Sequence, residues 1–304
     1  MSLFSFFIGV VFAAEMVISP LADSVSPIST NTAKPTISFG NLLSYKSSIS
    51  ENVLGASVEA SPTATPAEAS AQEGTPTPIS YHARKSHYTI ALLGDSMIDT
   101  LGPDAPQLKD KLHVLFPVTT FKILNYGVGG TNIDYGLERL TNAYTYLGNN
   151  IPSLISTNPD VVVVESFGYN PYPYDAGALD HHWLQLAAIV QTVKTDIPGV
   201  KIIIAATIAP NSQVFGDGAP GISFAPDDKI RRTSTIKQYL DSTVKFALSQ
   251  HLPLADVFHA SIDRNGDGLL MYINPGDHIH YSDAGRTLFA QILAGTIIDN
   301  HILE

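Results

Sequence analysis

Tyr88-Thr89-Ile90-Ala91-Leu92-Leu93-Gly94 is a short, almost wholly apolar run that stops at a glycine. That is the pattern of a strand buried on both faces. Asp95-Ser96-Met97 follows it directly. Similar runs recur at 121–125, 160–165, 201–208 and 252–258. Helical patterns lie between them, at 107–116, 136–156, 180–196 and 229–250. A last helix is expected over 282–299, with Ser282 as its N-cap. Strands that alternate with helices, and that are apolar throughout, predict a parallel sheet covered on both sides. The expected architecture is one doubly wound α/β domain over 87–304, without internal repeats.

Upstream of this domain the composition changes. Residues 23–86 are rich in Pro, Ser and Thr, as in Ala60-Ser61-Pro62-Thr63-Ala64-Thr65-Pro66 and Gly74-Thr75-Pro76-Thr77-Pro78. Such sequence buries too little apolar surface to offset its ordering entropy and reads as an extended, disordered linker or tail. Residues 1–22 are apolar apart from a few Ser, Glu15 and Pro20. They read as a secretory signal, with Val11-Phe12-Ala13 as a cleavage site, or as a membrane anchor of nearly spanning length. No basic segment precedes the apolar core, and Glu15 is costly in mid-membrane. The plainer alternative is an apolar helix packed on the domain. Export is the expectation: an extracytoplasmic domain, secreted or tethered to a membrane.

Of the 304 residues, 44% are hydrophobic and 15% charged, which suits a sizeable buried core. The net charge is −11, with no cluster of Lys and Arg. That argues against a nucleic-acid partner and against docking on anionic lipid through a polybasic patch. The absence of cysteine removes disulfides, thiolate metal sites and thiol nucleophiles together.

In a doubly wound sheet, ligands bind outside the carboxyl ends of the strands. Four segments fall at those ends: Gly94-Asp95-Ser96-Met97; Asn125-Tyr126-Gly127-Val128-Gly129-Gly130-Thr131-Asn132; Glu165-Ser166-Phe167-Gly168-Tyr169-Asn170; and Asp277-His278-Ile279-His280. Together they hold what acyl transfer needs. A serine hydroxyl becomes a nucleophile when a base accepts its proton. A histidine can be that base, and a carboxylate on its other nitrogen fixes the tautomer. The tetrahedral oxyanion requires fixed donors, which the N–H groups of Ser96 and Gly130 and the amide of Asn170 can supply.

The four segments resemble the blocks of the SGNH (GDSL-type) hydrolase family, in the family's order. Gly94-Asp95-Ser96 matches the first block, Asn125-x-Gly127-x-x-Gly130 the second, Gly168-x-Asn170 the third and Asp277-x-x-His280 the fifth. The resemblance covers nearly everything from Tyr88 onward. It implies a flavodoxin-like, five-stranded parallel sheet with helices on both faces. It also implies Ser96 as nucleophile, His280 as base, Asp277 as the acid that orients it, and Ser96, Gly130 and Asn170 as the oxyanion hole. No cofactor or metal is implied. The substrates suggested are acetyl groups on cell-wall or other glycans, or short-chain and lipid esters. One departure stands out: Pro171 follows Asn170 where the family pattern continues with Asp.

Plainer roles compete at each position. Ser96 could only N-cap a helix, and Asn170 could only close a turn with Pro171. Gly127, Gly129 and Gly130 lack the spacing of a dinucleotide loop. Glu165 is expected to be a solvated or hydrogen-bonded strand end without a catalytic role. His278 is the rival base, but neighbouring side chains in an extended loop diverge from Asp277. His181 and His182 read as packing and surface rather than as zinc ligands. Asp263-Arg264-Asn265-Gly266-Asp267-Gly268 imitates a calcium loop, yet its twelfth position is Asn274 instead of Glu, so a polar turn is favoured. Two rival functions remain: a catalytically silent glycan-binding module and an acyltransferase to a glycan, both using the same cleft.

Overall fold

The computed structural model describes residues 80–172 and 176–304. The expectations for 1–22, and for 23–86 as far as residue 79, lie outside them. In chain order the elements are β1 (His87–Gly94), α1 (Ser96–Asp99), α2 (Pro106–Leu115), β2 (Thr120–Gly127), α3 (Ile133–Thr141), β3 (Tyr144–Tyr146), β4 (Asn149–Ile151) and β5 (Val161–Glu165). They continue with α4 (Ala178–Asp196), β6 (Lys201–Ala206), α5 (Pro226–Ser249), β7 (Leu254–Asp256), α6 (Val257–Ala260) and α7 (Asp283–Asp299). Five strands form one parallel sheet in the order β2-β1-β5-β6-β7. This is the doubly wound, flavodoxin-like order, with its switch point at β1 and β5.

Side chains alternate across the sheet. Ile90, Leu92, Val161, Val163 and Ile203 face α2 and α7, where they meet Leu108, Leu112, Phe289 and Leu293. Ala91, Leu93, Val162, Val164 and Ile204 face the other way, onto Ile133, Leu140, Leu186, Ile189 and Phe246 of α3, α4 and α5. Every residue of β5 is buried, which accounts for its unbroken Val-Val-Val-Val run. Each large aliphatic or aromatic side chain so buried contributes about 1.5–3 kcal/mol. Among the described residues, no helix is long and apolar enough to cross a membrane.

Three stretches depart from expectation. The helix expected over 136–156 ends at Thr141, and an antiparallel hairpin of β3 and β4 follows. Tyr144-Thr145-Tyr146 favours strand, and Leu147-Gly148 turns with positive φ (47° and 78°), the backbone of a tight hairpin turn. The strand expected over 252–258 is cut to three residues, because Asp256 caps α6 by accepting the His259 N–H at 3.0 Å.

The third departure is at the domain's start. Residues 80–86, read as the end of the linker, lie along the domain. Tyr81 N–H donates to the Leu115 carbonyl and Arg84 N–H to the Leu303 carbonyl, each at 2.7 Å. The Tyr81 ring stands 5.8 Å from that of Phe116. A truncation that removes residues 1–79 keeps the whole strap and is the reference for a deeper one. Removing 1–86 should cost about 1–2 kcal/mol for the lost ring burial and hydrogen bonds. That lowers the melting temperature by roughly 3–6 °C. Calorimetry on the two truncations checks this; equal melting temperatures would show that the 80–86 strap adds nothing.

Candidate active site

β1 delivers Asp95 and Ser96 at its carboxyl end, where β2 and β5 flank it. Asp95, not Ser96, is the N-cap of α1: its Oδ1 accepts the Met97 N–H at 2.8 Å. The plainer role weighed for Ser96 thus belongs to its neighbour, and the Ser96 side chain is left half-buried at the first helical position. Gly127 lets β2 come close to α1. A Cβ there would sit 2.1 Å from the Asp99 nitrogen, so no larger residue fits. Asn125 fixes the same junction with its side-chain amide. It donates to the carbonyls of Ile98 (2.8 Å) and Gly102 (2.7 Å) and accepts the Gly127 N–H (2.8 Å).

The other segments converge here. Asn170 donates from Nδ2 to Asp95 Oδ2 at 2.9 Å, which leaves its second amide hydrogen for another acceptor. The turn that Asn170 closes through its N–H on the Phe167 carbonyl therefore does not exhaust this side chain. A Cβ on Gly129 would lie 3.9 Å from Ser96 Cβ, so the glycine loop runs beside the serine. Gly130 is exposed. Among the described residues, neither the Ser96 N–H nor the Gly130 N–H is taken by a protein acceptor.

Asp277 and His280 form a compact pair. Asp277 Oδ1 accepts the N–H groups of Ile279 (2.8 Å) and His280 (3.0 Å), folding the loop into one tight turn. The turn brings His280 Nδ1 to 2.9 Å from Asp277 Oδ2, which also accepts from Asn274 at 3.1 Å. Burial pushes the Asp277 carboxyl up. The hydrogen bond from His280, the two backbone N–H groups and the His280 charge outweigh it, and hold the carboxyl at about 2. The His280 charge also acts on Asp95 and Asp99, which bracket Ser96 on either side. His278 turns away: its φ is 51°, and Nδ1 meets the Asp217 carbonyl at 2.6 Å.

Two carboxylic groups lie buried beneath the serine. Glu165 accepts the Asp95 N–H at 3.3 Å and the Ser166 hydroxyl. Burial, then the Asp95 charge, lift Glu165 well above the usual carboxylate range. Burial also raises Asp95, against the Met97 N–H, the Asn170 amide and the charges of His280 and Arg139. His182 is buried with Nε2 at 2.7 Å from the Ser166 carbonyl, whereas His181 is exposed and pairs with Asp134 at 3.1 Å. Burial lowers His182 to about 4, which keeps its ring neutral. In the calcium-like turn, Asp267 is paired with Lys237 at 2.7 Å and accepts the Ser212 hydroxyl at 2.8 Å. Protein donors thus occupy both carboxylate oxygens of Asp267.

Sequence reasoning missed three residues here. Tyr146, on the hairpin, donates to Asp99 Oδ2 at 2.7 Å and accepts the Gly129 N–H at 3.1 Å. Its partner Asp99 stands one turn beyond Ser96. Arg139 is buried and donates to the Gly94 carbonyl at 2.8 Å. The available signal was a charge on the apolar stripe of α3, beside Ile133, Gly136 and Leu140.

A pH test follows from the depressed Asp277 carboxyl. Its ionised form is favoured in the fold, so its stabilisation is present above its ordinary value of 3.8 and lost as pH falls toward about 2. Asp277→Asn should unfold at lower denaturant than wild type near neutral pH, and the gap should close progressively below about pH 4. A gap that persists undiminished into acid would mean that the ionised carboxylate is not its source.

A family model described as GDSL-like Lipase/Acylhydrolase family matches residues 92–288. Among solved structures, a lipase/acylhydrolase from Enterococcus faecalis is 16% identical, with a TM-score of 0.51 over 70% of this chain and 96% of its own. A GDSL-like lipase from Bacteroides thetaiotaomicron is 13% identical, with a TM-score of 0.51 over 70% of this chain and 89% of its own. These likenesses bear on the fold. No curated protein matches the sequence.

Proposed function

The chain belongs to the GDSL-like lipase/acylhydrolase family, and from that premise we propose that it hydrolyses carboxylic esters through an acyl-serine intermediate on Ser96. The observation that carries the reading is the 2.9 Å contact of Asp277 Oδ2 with His280 Nδ1. With Nδ1–H given to the carboxylate, Nε2 holds the free lone pair and is the basic nitrogen. In the first half of the reaction, His280 takes the Ser96 proton as the hydroxyl oxygen attacks the ester carbon. The Ser96 and Gly130 N–H groups and the second hydrogen of the Asn170 amide receive the oxyanion. His280 then gives its proton to the departing alcohol. In the second half it takes a proton from water as the water oxygen attacks the acyl carbon, then returns that proton to Ser96 Oγ as the acyl–serine bond breaks, which releases the acid and restores the serine. Asp277 stays ionised throughout and stabilises the imidazolium.

For the substrate, the proposal is an acetyl or short acyl ester of a glycan, taken by a domain that residues 1–22 export and residues 23–79 space from a surface. What supports this is the apolar start, the Pro/Ser/Thr-rich stretch after it, and the acidic, polar pair that Asp99 and the Tyr146 hydroxyl form one helical turn beyond Ser96. A fluorophosphonate probe, followed by a screen of acetylated glycans against aryl and lipid esters of increasing chain length, tests both parts. An unlabelled Ser96 would sink the acyl-serine mechanism, and preference for long acyl chains would sink the glycan assignment.

His280→Ala should lower turnover of an activated ester by at least about 1,000-fold with the fold intact. His278→Ala, which loses a single contact with the Asp217 carbonyl, should stay within about threefold. A loss confined to His278→Ala would reverse the assignment. Asn170→Ala should reduce kcat on the order of 100- to 1,000-fold, more than it raises KM. An unchanged kcat would leave Asn170 as a brace for Asp95 alone.

A further inference from the structure

Gly130 is the least supported of the three oxyanion donors. It is exposed, its φ is +72°, and among the described residues no atom beyond its chain neighbours lies within 4 Å of where a Cβ would stand. An oxyanion hole works because its donors are fixed before charge develops, so this N–H must be held through its chain neighbours.

On its far side the chain continues into Thr131, and here the core reaches out. Thr131 Oγ1 donates to the Val128 carbonyl at 2.8 Å, closing the loop on itself. The same oxygen accepts from Arg139 Nη1 at 3.1 Å. The other arm of that guanidinium, Nη2, donates at 2.8 Å to the carbonyl of Gly94, two residues before Ser96. One planar group therefore touches the loop of the first oxyanion donor and the loop of the second. Arg139 comes from α3, is 3% exposed, and is flanked by the rings of Tyr144 (5.7 Å) and Phe167 (6.0 Å). It forms no salt bridge among the described residues. Burying a guanidinium without an ion pair is costly, and a fold keeps it where a rigid two-pronged donor is needed.

We propose that Arg139 is the positioning residue of the oxyanion hole: its guanidinium locks the Ser96 loop and the Gly130 loop at one fixed separation. The inference rests on the reading of Ser96 and Gly130 as oxyanion donors. Arg139 touches no reacting atom and acts through the two backbone segments it joins. Lysine keeps the charge but not the fork, so it can hold one loop or the other.

The test uses the full chain, with Arg139→Lys and Thr131→Val compared with wild type. Active sites are counted with a fluorophosphonate, and turnover of an aryl acetate is expressed per labelled site. Phenylboronic acid, which forms a tetrahedral adduct with an activated serine, reports the hole directly. Arg139→Lys should lower kcat per labelled site by roughly 10- to 100-fold with KM nearly unchanged, short of full donor loss. Its phenylboronate affinity should fall in parallel. Thr131→Val, which removes only the bridging hydroxyl, should lower kcat by roughly 3- to 10-fold, and it decides the matter if Arg139→Lys does not fold. Lower thermal stability with unchanged turnover per labelled site would overturn the proposal and make Arg139 a structural residue. A wild type that neither labels nor turns over would overturn the Ser96 reading itself, and this inference with it.

Discussion

A buried carboxylate has to be furnished with donors, and Asp95 at the end of β1 is the point where that demand shapes the surroundings. It takes the Met97 N–H at 2.8 Å, which starts α1, and the Asn170 amide at 2.9 Å, which pulls in the loop after β5. Its own N–H goes to Glu165, whose carboxyl is buried on the next strand. Raising both carboxyls by burial stores electrostatic cost under the serine, and the hydrogen bonds to them bear it. The parallel sheet supplies the platform, since β1 lies between β2 and β5 and each strand end brings one loop. Loops that would otherwise wander are thereby tied to a rigid layer.

The loop of His280 obeys a more local rule. Asp277 organises its own neighbourhood through two backbone N–H groups before it meets the imidazole. Three residues of spacing suffice because the turn is closed by the carboxylate that uses it. His278 completes the arrangement from the other side, where its ring is held by the Asp217 carbonyl in the loop before α5. The two histidines thus serve different neighbours although one residue separates them.

The sheet was legible because buried parallel strands write themselves as unbroken apolar runs: Val161–Glu165 and Lys201–Ala206 appear within a residue or two of expectation at their starts. The α/β order and the family followed from such runs and from the blocks at their ends. The hairpin at 144–151 was not legible as a helix break, since Tyr, Leu and Ile recur there at intervals that also suit a helix. Only the Leu147-Gly148 turn carries the distinction. The strap at 80–86 was hidden by its company: Tyr81 looks like the tail of a polar linker until the groove beside Phe116 exists to receive it. Arg139 illustrates a third limit. Side chains that act across the fold, like its bridge from Gly94 to Thr131, leave no spacing in the sequence because their partners are 45 and 8 residues away.

The strap has a geometric consequence of its own. Arg84 N–H is bonded to the Leu303 carbonyl, so the chain enters and leaves this domain at one place. That place is at the amino end of β1, and the serine is at the other, roughly 26 Å away along eight residues of strand. Joined ends of this kind let a domain be grafted whole into a loop of a host protein, or opened at a new position, with little disturbance. Immobilisation of the domain through either end orients it alike, with the loops of Ser96 and His280 turned toward the bulk liquid.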